Sequence, residues 1–206
     1  MSLFDVTLYV SATITLFVIM DPPGSIPVFL SLVGRKSPAA RQRAAAQAVS
    51  VSLGVIGGFA LAGGAILSYL GIGIPALQGA GGLLLLLLIA LDLLTGKENT
   101  QPQGAEDVNV ALVPLGTPLL AGPGAIAATI VYVRDANGQV GSYLALAAAI
   151  LTIHAVIFLF LRYSGVIIRV IRQSGITLLA RVAGLLLAAI AVQLVADSVR
   201  GFVTGA

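Results

Sequence analysis

The residue best placed to do chemistry is Asp21, in the string Asp21-Pro22-Pro23-Gly24-Ser25-Ile26-Pro27. It follows about fifteen mostly apolar residues and precedes roughly ten more before Arg35. At the helical rise of 1.5 Å per residue, Asp21 lies roughly 24 Å along from Asp5, deep in the hydrocarbon of a bilayer. A carboxylate at the centre of a membrane helix costs on the order of 3 kcal/mol even on the mildest insertion scale, so something must offset it. Two readings are open. Asp21 either N-caps a half-helix that starts at Pro22, or it holds a cationic group, a coupling proton or a sodium ion.

The chain contains two Pro-Gly pairs, one hundred residues apart: Pro23-Gly24-Ser25-Ile26 and Pro123-Gly124-Ala125-Ile126. Proline removes a backbone donor and clashes with the preceding turn. Pro22, Pro23 and Pro27 therefore break the first apolar run, and Pro114, Pro118 and Gly122-Pro123-Gly124 break the fourth. Broken backbone at that depth survives only where protein or a wet cavity satisfies the freed groups. Thr117 before Pro118 offers a hydroxyl cap much as Asp21 does before Pro22. Two half-helix N-termini would present unpaired amides suited to a carboxylate, while Asp21 suits an ammonium. A zwitterionic amino acid fits this pattern, as do other small polar solutes. The candidate binding set is Asp21, Pro23, Gly24, Ser25, Pro27, Thr117, Pro118, Gly122, Pro123 and Gly124.

Other chemistries are excluded or weakly supported. With no Cys there is no disulfide or thiolate metal site, and with one histidine, His154, there is no HExxH zinc helix. His154 could relay protons, although a lone histidine in a span is more often an interhelical hydrogen-bonding partner. Ser25 or Ser164 with His154, or Asp21 with Asp92, could form a hydrolase pair only by residue type, because no motif surrounds them. A phosphate-binding GxxxxGK[ST] loop is absent from the sequence, so ATP is not the expected energy source. No cofactor and no metal are expected.

The elements that must position these residues follow from composition. Of 206 residues, 58% are apolar and 9% charged, against about 25% charged in soluble domains, so lipid must cover the surface. Apolar runs occur at about 6–33, 42–70, 76–95, 110–133, 140–161 and 176–199, separated by polar stretches that include one around 162–175. Their length and lack of alternation make them helices rather than barrel strands. Ser37-Pro38 is a helix-start signal, a hydroxyl N-cap followed by proline. The start of the chain lacks the basic flank of a signal peptide. Small residues at Gly54 and Gly58, Ala60 and Gly64, and Ala180, Gly184 and Ala188 suggest close-packing faces.

Nine Lys or Arg residues fall at the first, third and fifth connections and only Arg134 and Arg200 on the other side, which predicts both termini outside the cytoplasm. These charges read as topology and lipid contact rather than nucleic-acid binding. A second echo, Gly73-Ile74 to Leu85 against Gly175-Ile176 to Leu187, is offset by 102. With the Pro-Gly pair it predicts a duplicated three-helix unit, and an odd number of spans inverts the second copy. The expected fold is an all-α membrane protein of six transmembrane helices in two inverted repeats, with helices 1 and 4 broken near the midplane. One transmembrane domain covers 1–206: repeat 1 at about 6–95, a polar cytoplasmic loop at about 96–109, and repeat 2 at about 110–200.

The segments DPPGSIPVFLSL and PLGTPLLAGPGAIAATI resemble the MarC family of bacterial and archaeal integral membrane proteins. Asp21, Pro23, Gly24 and Pro27 match its first motif, and Pro114, Pro118, Gly122, Pro123 and Gly124 its second. Ser25 stands where the family often has Asn. The resemblance implies a plasma-membrane protein similar to transporters of small neutral amino acids such as glycine and alanine. The expected function is secondary transport of a small polar solute by alternating access, with a proton or sodium ion as the coupling partner. The alternatives are a passive channel and, more remotely, an intramembrane hydrolase.

Overall fold

The computed structural model describes residues 4–33, 36–95 and 120–205, and every described element is a helix. In order they are α1 (Val6–Met20), α2 (Pro22–Val33), α3 (Pro38–Tyr69), α4 (Ile74–Thr95), α5 (Pro123–Asp135), α6 (Val140–Arg162) and α7 (Ser164–Thr204). Among the described residues, four stretches are long and apolar enough to cross a bilayer: Val6–Val33, Pro38–Tyr69, Val140–Arg162 and Arg181–Thr204. Ile74–Leu87 is a shorter apolar helix. Helices satisfy every backbone group internally, which chains this apolar require in lipid.

Local chemistry sets most helix ends. Asp5 caps α1 by accepting from Leu8 N at 3.0 Å, and Ser37 caps α3 by accepting from Ala40 N at 3.3 Å, with Pro38 at the first helical position. The α5–α6 turn uses left-handed Asn137 and Gly138, φ 46° and 76°. One expectation is corrected. The stretch 162–175 is not a loop: only Tyr163 separates α6 from α7, and the helical state resumes at Ser164. Arginine is a good helix former, so charge there marks an interface without ending a helix. The helical path bends instead at Arg172, whose backbone is left-handed and extended, φ 59° and ψ 167°.

The small-residue faces are corrected too. A Cβ added at Gly54, Gly58, Gly64 or Gly184 would meet nothing within 4 Å. The close approaches lie elsewhere, chiefly between α4 and α7. A Cβ at Gly79 would come 2.6 Å from Ser198 Oγ, one at Gly82 2.6 Å from Ala191 O, and one at Gly201 2.6 Å from Pro75 Cγ. A small-residue spacing permits close packing but does not name the partner that uses it.

Cross-chain contacts fix the arrangement. The α1 start meets the α6 start: Asp5 N donates to Gly141 O at 3.3 Å, and Ser142 Oγ donates to Asp5 Oδ2 at 3.1 Å. Because α5 ends in the turn just before α6, α1 and α5 run antiparallel. Tyr132 of α5 bonds Ser11 at 3.0 Å and Thr15 at 2.9 Å, one helical turn apart on α1. The α1–α2 pair packs on α6 and α7, whereas α5 packs on α3 and α4. The buried core joins α1, α2, α3, α5 and α6 through Leu16, Met20, Phe29, Ala48, Leu120, Ala125 and Ile153 among others.

Candidate functional site

The site begins where α1 stops. Asp21 adopts φ 41° and ψ 68°, a left-handed conformation that Asp tolerates better than bulky residues. Its N–H still closes the last turn of α1 on Phe17 O at 3.1 Å. Its carboxylate folds forward as the N-cap of α2, with Oδ1 accepting from Gly24 N at 3.1 Å. Ser25 donates twice to Asp21 O, from N at 3.0 Å and from Oγ at 2.9 Å. A Cβ at Gly24 would collide with the Asp21 carboxylate, so a larger residue there would displace the capping side chain. Pro22 and Pro23 occupy the first turn, where a missing N–H costs little. Pro27 lies inside α2 without ending it.

These bonds correct one expectation. The N-terminus of α2 does not offer unpaired amides to an anion. Its first two residues are prolines, the Gly24 amide is capped by Asp21, and the Ser25 amide already closes the helix. A carboxylate cap also opposes the positive end of the helix dipole. What this end presents is negative charge, on a residue that is only half-buried.

The start of α5 is the opposite case. Gly122 is the N-cap, extended at φ −66° and ψ 165°, and has no side chain to cap with. Pro123 takes the first helical position. Ala125 N and Ile126 N both donate to Gly122 O, at 3.0 and 3.1 Å. Gly124 is then the first-turn residue whose N–H has no acceptor within its own helix. Gly124 is buried against α4: a Cβ there would come 2.6 Å from Leu85 Cδ2.

Helix register brings the two ends to a similar level. Asp21 lies about 12 Å along the chain from the Ser11–Thr15 pair that holds Tyr132, and Pro123 about 14 Å back from Tyr132, in antiparallel helices. Met20, just before the first break, shares one buried cluster with Leu120, Ala121 and Ala125 around the second. Thr117, Pro118 and Pro114 lie outside the described residues, as does the side chain of Asp92.

His154 is placed apart from both Pro-Gly segments in its hydrogen bonding. It is buried on α6, with Nδ1 2.7 Å from Ile150 O and Nε2 3.2 Å from Ser52 Oγ on α3. A carbonyl can only accept, so Nδ1 carries the proton and Nε2 accepts from the serine hydroxyl. The bond to Ser52 joins α6 to α3. Sequence reasoning passed over Ser52, Tyr132, Ser11 and Thr15. A tyrosine inside an apolar run was the available signal, because its hydroxyl needs a partner when buried. Among the described residues, no group of three His, Cys, Asp or Glu could hold a metal.

Comparison with known proteins places the chain among integral membrane proteins. Residues 6–203 match the MarC family integral membrane protein model. A UPF0056 membrane protein of Methanocaldococcus jannaschii is 36% identical over 203 residues, covering 96% of this chain and 98% of the relative. UPF0056 membrane protein YhcE of Escherichia coli is 32% identical, with 98% and 96% covered, and YvbG of Bacillus subtilis 31%, with 91% and 92% covered. No solved structure matches. The chain belongs to the MarC family of integral membrane proteins.

Proposed function

We propose that this MarC-family protein is a secondary transporter of small polar solutes, small neutral amino acids foremost, working by alternating access around the two Pro-Gly segments. The observation that carries the reading is the electrostatic contrast between two helix starts at one level. One is closed by the half-buried carboxylate of Asp21, and the other, at Gly122-Pro123-Gly124, has no side-chain cap. An α-amino acid has an ammonium for the first and a carboxylate for the second. Thr117 and Pro118 complete the second end in this proposal.

The six-span inverted repeat is the frame of the proposal. A two-fold axis in the membrane plane would exchange α1–α2 with α5, α3 with α6 and α4 with α7. The packing of α1–α2 on α6 and α7, and of α5 on α3 and α4, follows that exchange. The bias of basic residues toward one set of connections supports both termini outside the cytoplasm. A hydrolase pairing Ser25 or Ser164 with His154 is disfavoured, because His154 Nε2 bonds Ser52 instead, and Ser52 and His154 are both buried.

Uptake of labelled glycine or alanine into proteoliposomes tests the proposal, with counterflow separating carrier from channel. Saturable uptake and counterflow are expected. Conductance in planar bilayers without counterflow would turn the assignment to a passive channel. No specific flux across a broad amino-acid panel would remove the solute class.

A further inference from the structure

Ser52 and His154 make a buried hydrogen bond between α3 and α6 that the proposed transport cycle does not use. Their positions are related. Each lies fourteen residues beyond the first residue of its helix, Pro38 for α3 and Val140 for α6. They are 102 residues apart, the offset that also relates Gly73-Ile74 to Gly175-Ile176. The neighbours on the same face agree: Ala44, Ala48 and Ser52 are buried on α3, and Leu146, Ile150 and His154, each 102 further on, are buried on α6.

The two helices run in opposite directions. A Cβ at Gly63, late in α3, would come 2.7 Å from Ile130, in the second half of α5, whose end leads through the turn into α6. Ser52, earlier in α3, instead meets His154 well along α6. Antiparallel helices in contact at equivalent positions are what a two-fold axis between them requires.

We infer that Ser52 and His154 are equivalent positions of the two repeats, and that their hydrogen bond is a joint on the axis relating the halves. The inference rests on the inverted repeat proposed above, and not on the identity of the solute. In an inverted-repeat carrier, each half takes the other's conformation when the site changes sides. A contact between non-equivalent positions, such as Asp5 with Ser142, is then traded for a different contact. A contact between equivalent positions maps onto itself and survives the exchange. Ser52–His154 is a pivot, kept in both states, and His154 is a positioning residue and no proton carrier.

The symmetry supplies the test. In Ser52→His/His154→Ser the two residues trade places. His at 52 can donate Nδ1–H to the carbonyl of Ala48, as His154 does to Ile150, and Ser at 154 can donate to its Nε2. In detergent, with helicity as readout, Ser52→Ala is expected to lower Tm by about 2–4 °C. The swapped protein is expected to recover most of the combined loss of Ser52→His and His154→Ser made singly. A swap that loses as much as the sum of its single changes overturns the equivalence.

A second measurement addresses the pivot. The chain has no Cys, so Ser52→Cys/His154→Cys can be bridged cleanly by a short bifunctional thiol reagent. The bridged protein is expected to retain glycine or alanine uptake, whereas one bridged at Asp5→Cys/Ser142→Cys is expected to lose it. Uptake abolished by the 52–154 bridge overturns the pivot. If the unmodified chain moves neither solute, the solute proposal fails, and the swap still decides the joint.

Discussion

On the transport proposal, Asp21 has two duties, the observed cap and a ligand contact, that one substitution can separate. Asn matches Asp as an N-cap and is the other residue that enters the left-handed region readily. Asp21→Asn therefore keeps the bond to Gly24 N and the φ of 41°, and removes only the charge. Asp21→Ala removes all three. Its cost is about 1 kcal/mol for the cap and about 1 kcal/mol for left-handed backbone on a residue with no local hydrogen bond. At roughly 2–4 °C per kcal/mol for a chain of this size, Asp21→Ala should melt about 4–8 °C below the parent and Asp21→Asn within about 2 °C. Transport should behave otherwise. Loss of a partly buried carboxylate from an ammonium site costs 2 kcal/mol or more, about 30-fold in apparent affinity for glycine or alanine, and should be shared by both variants. Thermal unfolding in detergent and saturation of proteoliposome uptake measure the two quantities. Parental uptake in Asp21→Asn would reduce Asp21 to a cap. An Asn variant as unstable as the Ala one would refute the capping argument.

Two other substitutions probe the frame around the site. Tyr132→Phe deletes the hydroxyl shared by Ser11 and Thr15 and should cost about 1 kcal/mol, a fall of about 2–4 °C in Tm, with no change in helix content by circular dichroism. Gly82→Val drives its side chain into the Ala191 carbonyl and Val195, so α4 and α7 must separate. An overpacking cost of about 1–3 kcal/mol is expected in the same melting assay, whereas Gly184→Val, with open space around it, should be close to neutral.

Much of this arrangement was legible in the sequence, for identifiable reasons. Ser37-Pro38 starts α3 because a cap and a proline act within one turn, and such local signals carry over unchanged. Asp21 before two prolines was readable as a cap on the same ground. What escaped depends on distance along the chain. The α2 end lost its free amides through two prolines, one cap and one helical bond acting together, which helix-dipole reasoning alone does not count. The glycines that matter, Gly79, Gly82 and Gly201, are told from exposed Gly54 and Gly58 only by what lies opposite. Ser52 carried a usable signal, its 102-residue spacing from His154, hidden because serine among alanines resembles a passive span residue.

The bend at Arg172 bears on the thickness of the membrane itself. A straight helix of 41 residues would be about 62 Å long, twice the hydrocarbon of a typical bilayer. The kink divides it into a short arm, carrying exposed Arg169 and Arg172, and a terminal span of which Arg181–Thr204 alone is long enough to cross. The kink lets the short arm, with its exposed arginines, leave the line of the terminal span. The whole of α7 therefore need not run straight through a bilayer about half as thick as its length.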